Sequence, residues 1–122
     1  MPERLLWVCA GGALGSGARY LIGVWLKGLE SPYPLGTWSV NIAGSFLLGF
    51  LAAHFVASEG APWHLALTTG LMGGFTTYST FSLDTLRFLQ KGDATGAFVN
   101  VAVTLLVCLG ATFLGVHLGT RS

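Results

Sequence analysis

The sequence predicts an all-α membrane protein of four transmembrane helices, the third broken near Gly73–Thr77, assembled as an antiparallel dual-topology homodimer. Three observations lead there. Of 122 residues, 52% are hydrophobic and 9% charged, against about 25% charged in a soluble domain. The apolar residues fall into four runs, each close to or longer than the roughly 20 residues that carry a helix across the hydrocarbon core. The third run is interrupted by the glycines and hydroxyls of Gly70-Leu71-Met72-Gly73-Gly74-Phe75-Thr76-Thr77-Tyr78-Ser79-Thr80-Phe81. Unwound backbone persists in lipid only where protein buries it or a polar cavity solvates it.

The spans run roughly over 5–26, 36–56, 63–89 and 97–118 of a single four-helix domain, 1–122. Arg4 followed by Leu5-Leu6-Trp7-Val8 could open a signal peptide, but the apolar run continues to Leu26 with no small-residue cleavage site, so it reads as a retained first span. Within it Gly11, Gly15, Arg19 and Gly23 recur every four residues, a face that lets backbones approach closely. Arg19 shares that face. A charge at mid-span costs about 2.5–3.5 kcal/mol on insertion scales, so its side chain is expected against protein or water. The link that follows holds Pro32 and Pro34.

The second span carries a small and polar stripe, Thr37, Asn41, Ser45, Gly49 and Ala53, and the next link is marked by Glu59-Gly60. In the third, adjacent glycines and the β-branched pair Thr76-Thr77 each cost helix stability. Tyr78 and Phe81, three apart, put two rings on one face of a resumed helix. Asp84 is the sole acid of that run and is expected near its end, fixing backbone or pairing with a basic residue. After Lys91-Gly92-Asp93 the fourth span repeats the stripe with Gly96, Asn100, Thr104, Cys108 and Thr112. Cys108 and Thr112 read as helix-packing positions, Asn41 as part of an ion path.

Charge gives the assembly. Six Lys and Arg against five Asp and Glu leave +1, which calls for neither nucleic acid nor a polybasic lipid anchor. Four spans place Arg4 and Arg121 on one side and Lys27, Arg87 and Lys91 on the other, almost no bias under the positive-inside rule. A chain without a preferred orientation inserts both ways. The simplest product is an antiparallel pair with its two-fold axis in the membrane plane, and four short helices alone could hardly shield a pore from lipid.

Enzyme chemistry has no support. His54 and His64 flank the 57–62 link and His117 is near the C-terminal membrane edge, with no Ser, His and acid cluster. No strand precedes Gly11-Gly12-Ala13-Leu14-Gly15, so a dinucleotide loop is excluded. Cys9 and Cys108 have no close-spaced His or Cys, which argues against a disulfide scaffold or zinc site. Amide donors on Asn41, hydroxyls on Ser and Thr, and the positive ring edges of Tyr78 and Phe81 suit a small anion. Carbonyls freed by unwinding over 73–77 suit a buried cation such as Na⁺, and two antiparallel copies could bring them together at the dimer centre. The rival is a small proton-coupled multidrug exporter of dual topology. That needs a titratable acid in mid-membrane, whereas Glu3, Glu30, Glu59 and Asp93 lie at ends or links and Asp84 late in its run.

Three motifs in order carry a family resemblance: Gly11-Gly12 through Gly15 to Arg19-Tyr20; Gly36-Thr37 with Val40-Asn41 and Gly44-Ser45-Phe46; and Gly73-Gly74-Phe75-Thr76-Thr77-Tyr78-Ser79-Thr80-Phe81. Over nearly its whole length the chain resembles the small bacterial fluoride channels called Fluc or CrcB. The resemblance implies a dual-topology dimer with two pores in the bacterial cell (inner) membrane, crossed several times by each chain. It implies passive fluoride export driven by the membrane potential. Asn41, Tyr78 and Phe81 would contact fluoride, Ser79, Thr80 and Thr104 would match the polar track, and Arg19 and Asp84 the charged positions near the pore mouths. The carbonyls of Gly73 and Thr76 would bind a central structural Na⁺. Two positions depart from the family: Tyr78 stands where Phe is usual and Asp84 where Glu is.

Overall fold

The computed structural model describes residues 2–29 and 31–121, and all regular structure among them is helical. Three helices are long and apolar enough to cross a membrane: α1 (Pro2–Leu26), α2 (Leu35–His54) and α6 (Ala94–Arg121). Their ends follow from local chemistry. Pro2 opens α1 at the one turn where its missing N–H costs nothing. The backbone N–H of Gly96 donates to the Asp93 carboxylate at 2.8 Å, a cap that starts α6 at Ala94, three residues before the predicted span. After α2 a short 3₁₀ turn (Val56–Ser58) leads to Gly60, whose φ of +89° lets the chain reverse at little steric cost.

Between α2 and α6 the chain is divided. Pro62–Leu65 forms α3, Ala66–Met72 a stretch of π-helix, Gly73–Phe75 a last turn named α4, and Ser79–Gln90 the helix α5. Thr76 is extended, at φ −88° and ψ 162°. No piece spans a bilayer by itself, since the 12 residues of α5 reach about 18 Å.

The break therefore falls at Thr76–Tyr78, later than the predicted Gly73–Thr77, and Gly73 and Gly74 are helical. Gly74, together with Gly70, has another use. A Cβ on Gly74 would lie 2.6 Å from the Gly12 carbonyl oxygen, and one on Gly70 would lie 2.6 Å from that of Val8. Gly11 and Gly15 of α1 meet the carbonyls of Ala66 and Leu71 just as tightly. These four glycines form a seam of backbone on backbone, the small-residue packing that membrane helices use where water gives no drive to associate. A second seam joins α2 to α6, where a Cβ on Gly119 would lie 2.7 Å from the Phe50 carbonyl oxygen and one on Gly49 would sit against Thr112.

Burial is inverted relative to a water-soluble fold. The buried apolar side chains are Val40, Met72, Phe75 and Ala97, while Asn41, His64 and Asn100 are buried polar ones. Leu6, Leu14, Trp25, Leu106 and Phe113 are each more than two-thirds exposed. Apolar outside and partly polar inside is the arrangement hydrocarbon solvent favours.

Candidate ion pathway

The helix breaks after Thr76, whose own N–H still closes a helical turn on the Met72 carbonyl at 3.0 Å, because the next amide, that of Thr77, is bonded elsewhere. Asn41, 7% exposed on α2, accepts the Thr77 N–H on Oδ1 at 2.8 Å and donates from Nδ2 to the Thr77 carbonyl at 3.1 Å. One side chain thus satisfies both backbone groups of an unwound residue, groups that would otherwise cost several kcal/mol each in lipid. The Thr77 hydroxyl accepts the Thr80 N–H at 3.3 Å and donates to the Thr80 hydroxyl at 3.2 Å, which caps the start of α5. These bonds release two carbonyls. The amide that would close a helical turn on Gly73 is the one Asn41 takes, and the amide that would close one on Thr76 is the one the Thr77 hydroxyl takes. Arg19, from the glycine face of α1, donates from Nε to the Gly74 carbonyl at 3.0 Å.

Thr77, at this turn, borders two cavities. The larger, about 770 Å³, takes in Arg19, Lys27, Arg87, Thr80, Thr37 and Asp84. Three cations against one acid make it an attractive vestibule for anions. Asp84 accepts the Thr37 hydroxyl at 3.3 Å. The smaller, about 360 Å³, is lined by Asn41, Ser45, Tyr78, Phe81, Thr104, Cys108 and Thr112 among others, and none of its lining residues carries a formal charge. The Tyr78 and Phe81 rings lie 5.7 Å apart at 60°, edge toward face, a favourable quadrupole geometry. The Thr104 Oγ1 is enclosed and has no hydrogen-bond partner among the described residues.

The structure thus brings Asn41, Tyr78, Phe81 and Thr104 to one cavity, and Arg19, Thr80 and Asp84 to the other. Ser79 lines neither, and its hydroxyl lies 3.5 Å from that of Thr77. Cys108 and Thr112, read from the sequence as packing positions, line the smaller cavity with Ser45. Their spacing from Thr104, four residues apart, is the signal that placed them on one face. Asn100 shares that spacing but is fully buried and lines neither cavity. Sequence reasoning did not anticipate that Asn41 would be engaged by backbone. A clamp of this kind leaves no trace in composition.

Three long apolar helices around a divided segment, with an uncharged cavity that carries a few amide and hydroxyl groups and a charged cavity, both bordered by Thr77, define a small helical membrane protein with polar groups gathered inside it. The particular family follows from comparison. Residues 6–116 match the family described as CrcB-like protein, Camphor Resistance (CrcB), and the chain belongs to that family. It is 47% identical over 113 residues, 90% of each chain, to a protein of Anaeromyxobacter dehalogenans named Fluoride-specific ion channel FluC. Proteins with the same name from Sorangium cellulosum and Caulobacter vibrioides are 42% identical over 124 residues and 44% identical over 117 residues. Those alignments cover 98% of this chain and 96% of the first relative, and 93% and 92% for the second.

Proposed function

We propose that this protein is a fluoride-selective ion channel that lets fluoride leave the cytoplasm passively across the bacterial cell membrane. The observation that carries the reading is that Thr77 borders both cavities, one charged and one uncharged. An anion drawn into the larger cavity by Arg19, Lys27 and Arg87 exchanges its water for donors one at a time on the way to the smaller. Fluoride holds its water strongly, so the donors must be close together. Asn41 keeps one Nδ2 hydrogen beyond the one given to Thr77, and Thr104 offers a hydroxyl without a partner. The rings of Tyr78 and Phe81 add edge attraction without a full charge that would hold the ion too long. The membrane potential supplies the drive, about 2.3 kcal/mol per charge for each 100 mV.

The working unit in this reading is an antiparallel dual-topology homodimer, with 62–75 and α5 together forming the third of four spans. The released carbonyls of Gly73 and Thr76 suit Na⁺, which needs oxygen ligands, and a second antiparallel copy would double their number at a shared axis. Bound there, a sodium ion would tie the copies together. The multidrug-exporter alternative is not favoured, because no acid lines the smaller cavity and Asp84 shares the larger with Arg19, Lys27 and Arg87.

The test is efflux from liposomes holding the purified protein and loaded with fluoride or with chloride, with a K⁺ ionophore to relieve voltage. Fast loss of fluoride with chloride retained is expected. Retention of both anions, or equal loss of both, would overturn the reading.

A further inference from the structure

Asn100 lies in the polar stripe of α6 yet stands apart from both cavities, with 0% exposure. Both ends of its amide are engaged in a chain of hydrogen bonds across three helices. The Trp38 indole Nε1 on α2 donates to Asn100 Oδ1 at 2.7 Å. Asn100 Nδ2 donates to the Thr85 hydroxyl on α5 at 2.9 Å, and that hydroxyl donates to the carbonyl of Phe81 at 2.9 Å. A serine or threonine bonded back to the carbonyl four residues earlier makes a bond local to its own helix. Here that bond is the last link of a chain anchored on two other helices.

The chain ends on the residue whose ring lines the smaller cavity. Phe81 sits in the first turn of α5, just after the break at Thr76–Tyr78, so no continuous helix fixes the rotation of α5 to that of α4. On the helix Tyr78, Phe81 and Thr85 fall on one stripe. Thr85 and Phe81 thus share one face of α5, with Tyr78 at its N-cap in helical conformation.

We infer that Trp38, Asn100 and Thr85 are positioning residues that set the rotation of α5, and through it the aim of the Tyr78 and Phe81 rings, without touching the ion. The inference rests on the channel reading for its consequence and on geometry alone for its mechanism. Removing the chain misdirects the ring edges and lowers both fluoride throughput and the preference over chloride. Hydrogen-bonded side chains buried together polarise one another, so the links are coupled and their losses do not add.

The test pairs Thr85→Val, which keeps shape and loses the hydroxyl, with Thr85→Ser, which keeps the hydroxyl. Each is made with 4-fluorophenylalanine at position 81, and two readouts are taken: the ¹⁹F resonance of that ring, and liposome efflux. Thr85→Val is expected to shift the resonance and slow fluoride efflux about ten- to hundredfold, the scale on which an ångström of misplacement acts. Thr85→Ser is expected to leave both near those of the parent protein, and Trp38→Phe to add little to Thr85→Val. An unmoved resonance in Thr85→Val, or equal damage from Thr85→Ser, would overturn the positioning role. A resonance that shifts in a protein whose parent passes no fluoride would uphold the mechanical link and overturn the channel reading alone.

Discussion

Along α1 the divided segment is held by backbone against backbone, whereas along α2 and α6 its second half is held by side chains. On the first side Gly11, Gly15, Gly70 and Gly74 leave no room for a single added carbon. On the second, Asn41 clamps Thr77, and Asn100 reaches Phe81 through Thr85. The first arrangement admits one geometry and resists adjustment. The second can lose a donor and keep its shape, so effects on permeation separate from effects on folding there.

Substitutions that cross from one side to the other test that division. The largest effect is expected at the glycine seam. Gly74→Val places carbon on a backbone carbonyl, at a cost of about 3 kcal/mol or more, and should abolish the folded species seen by size-exclusion chromatography in mild detergent. Gly12→Ala is the control, since its Cβ would meet the Gly70 oxygen at 3.8 Å, an ordinary contact; loss of folding in both would erase the contrast. Next comes Phe81→Ile, which keeps an apolar side chain and removes the ring edge. Fluoride efflux should fall about a hundredfold, equivalent to about 2.7 kcal/mol, with elution unchanged, and flux at the parent level would sink the ring-edge mechanism.

Asn41→Asp is expected to be milder. The carboxylate still accepts the Thr77 N–H but turns a negative oxygen toward the Thr77 carbonyl and toward the arriving anion. Efflux about tenfold slower is expected, or about 1.4 kcal/mol; a faster channel would mean that Asn41 does not face the ion. Tyr78→Phe should do least. The Tyr78 hydroxyl has no hydrogen-bond partner among the described residues and the residue is 79% exposed in the single chain, so the ring edge alone is expected to carry the contact. A change beyond about threefold, well under 1 kcal/mol, would give the hydroxyl a part in conduction.

The four apolar runs made the helical fold legible, because membrane solvent writes its demands into composition over some twenty residues at a time. The exact place of the break was less legible. Gly73-Gly74 looks like a helix breaker, and helix propensity says so, but both residues are helical, and contact of Gly74 with α1 makes use of its missing side chain. The break comes from Thr77, whose backbone is captured by a residue 36 positions away. No local pattern announces such a bond. The same limit explains Cys108 and Thr112. Their spacing put them on one face of α6, but only the position of α2 and of the Tyr78 ring decided that this face borders a cavity. Asn100 shows the converse, a polar residue in register with them that is spent on Trp38 and Thr85.

The glycine seam bears on how such a protein can change over generations. Four positions that interlock through main-chain atoms behave as a single inherited character, since altering any one spoils the fit of the others. The ring pair and hydroxyls on the far side carry no such tie, and a random-substitution library should show it: depletion at Gly11, Gly15, Gly70 and Gly74 together, and a graded spread of survivors at Tyr78, Thr104 and Cys108.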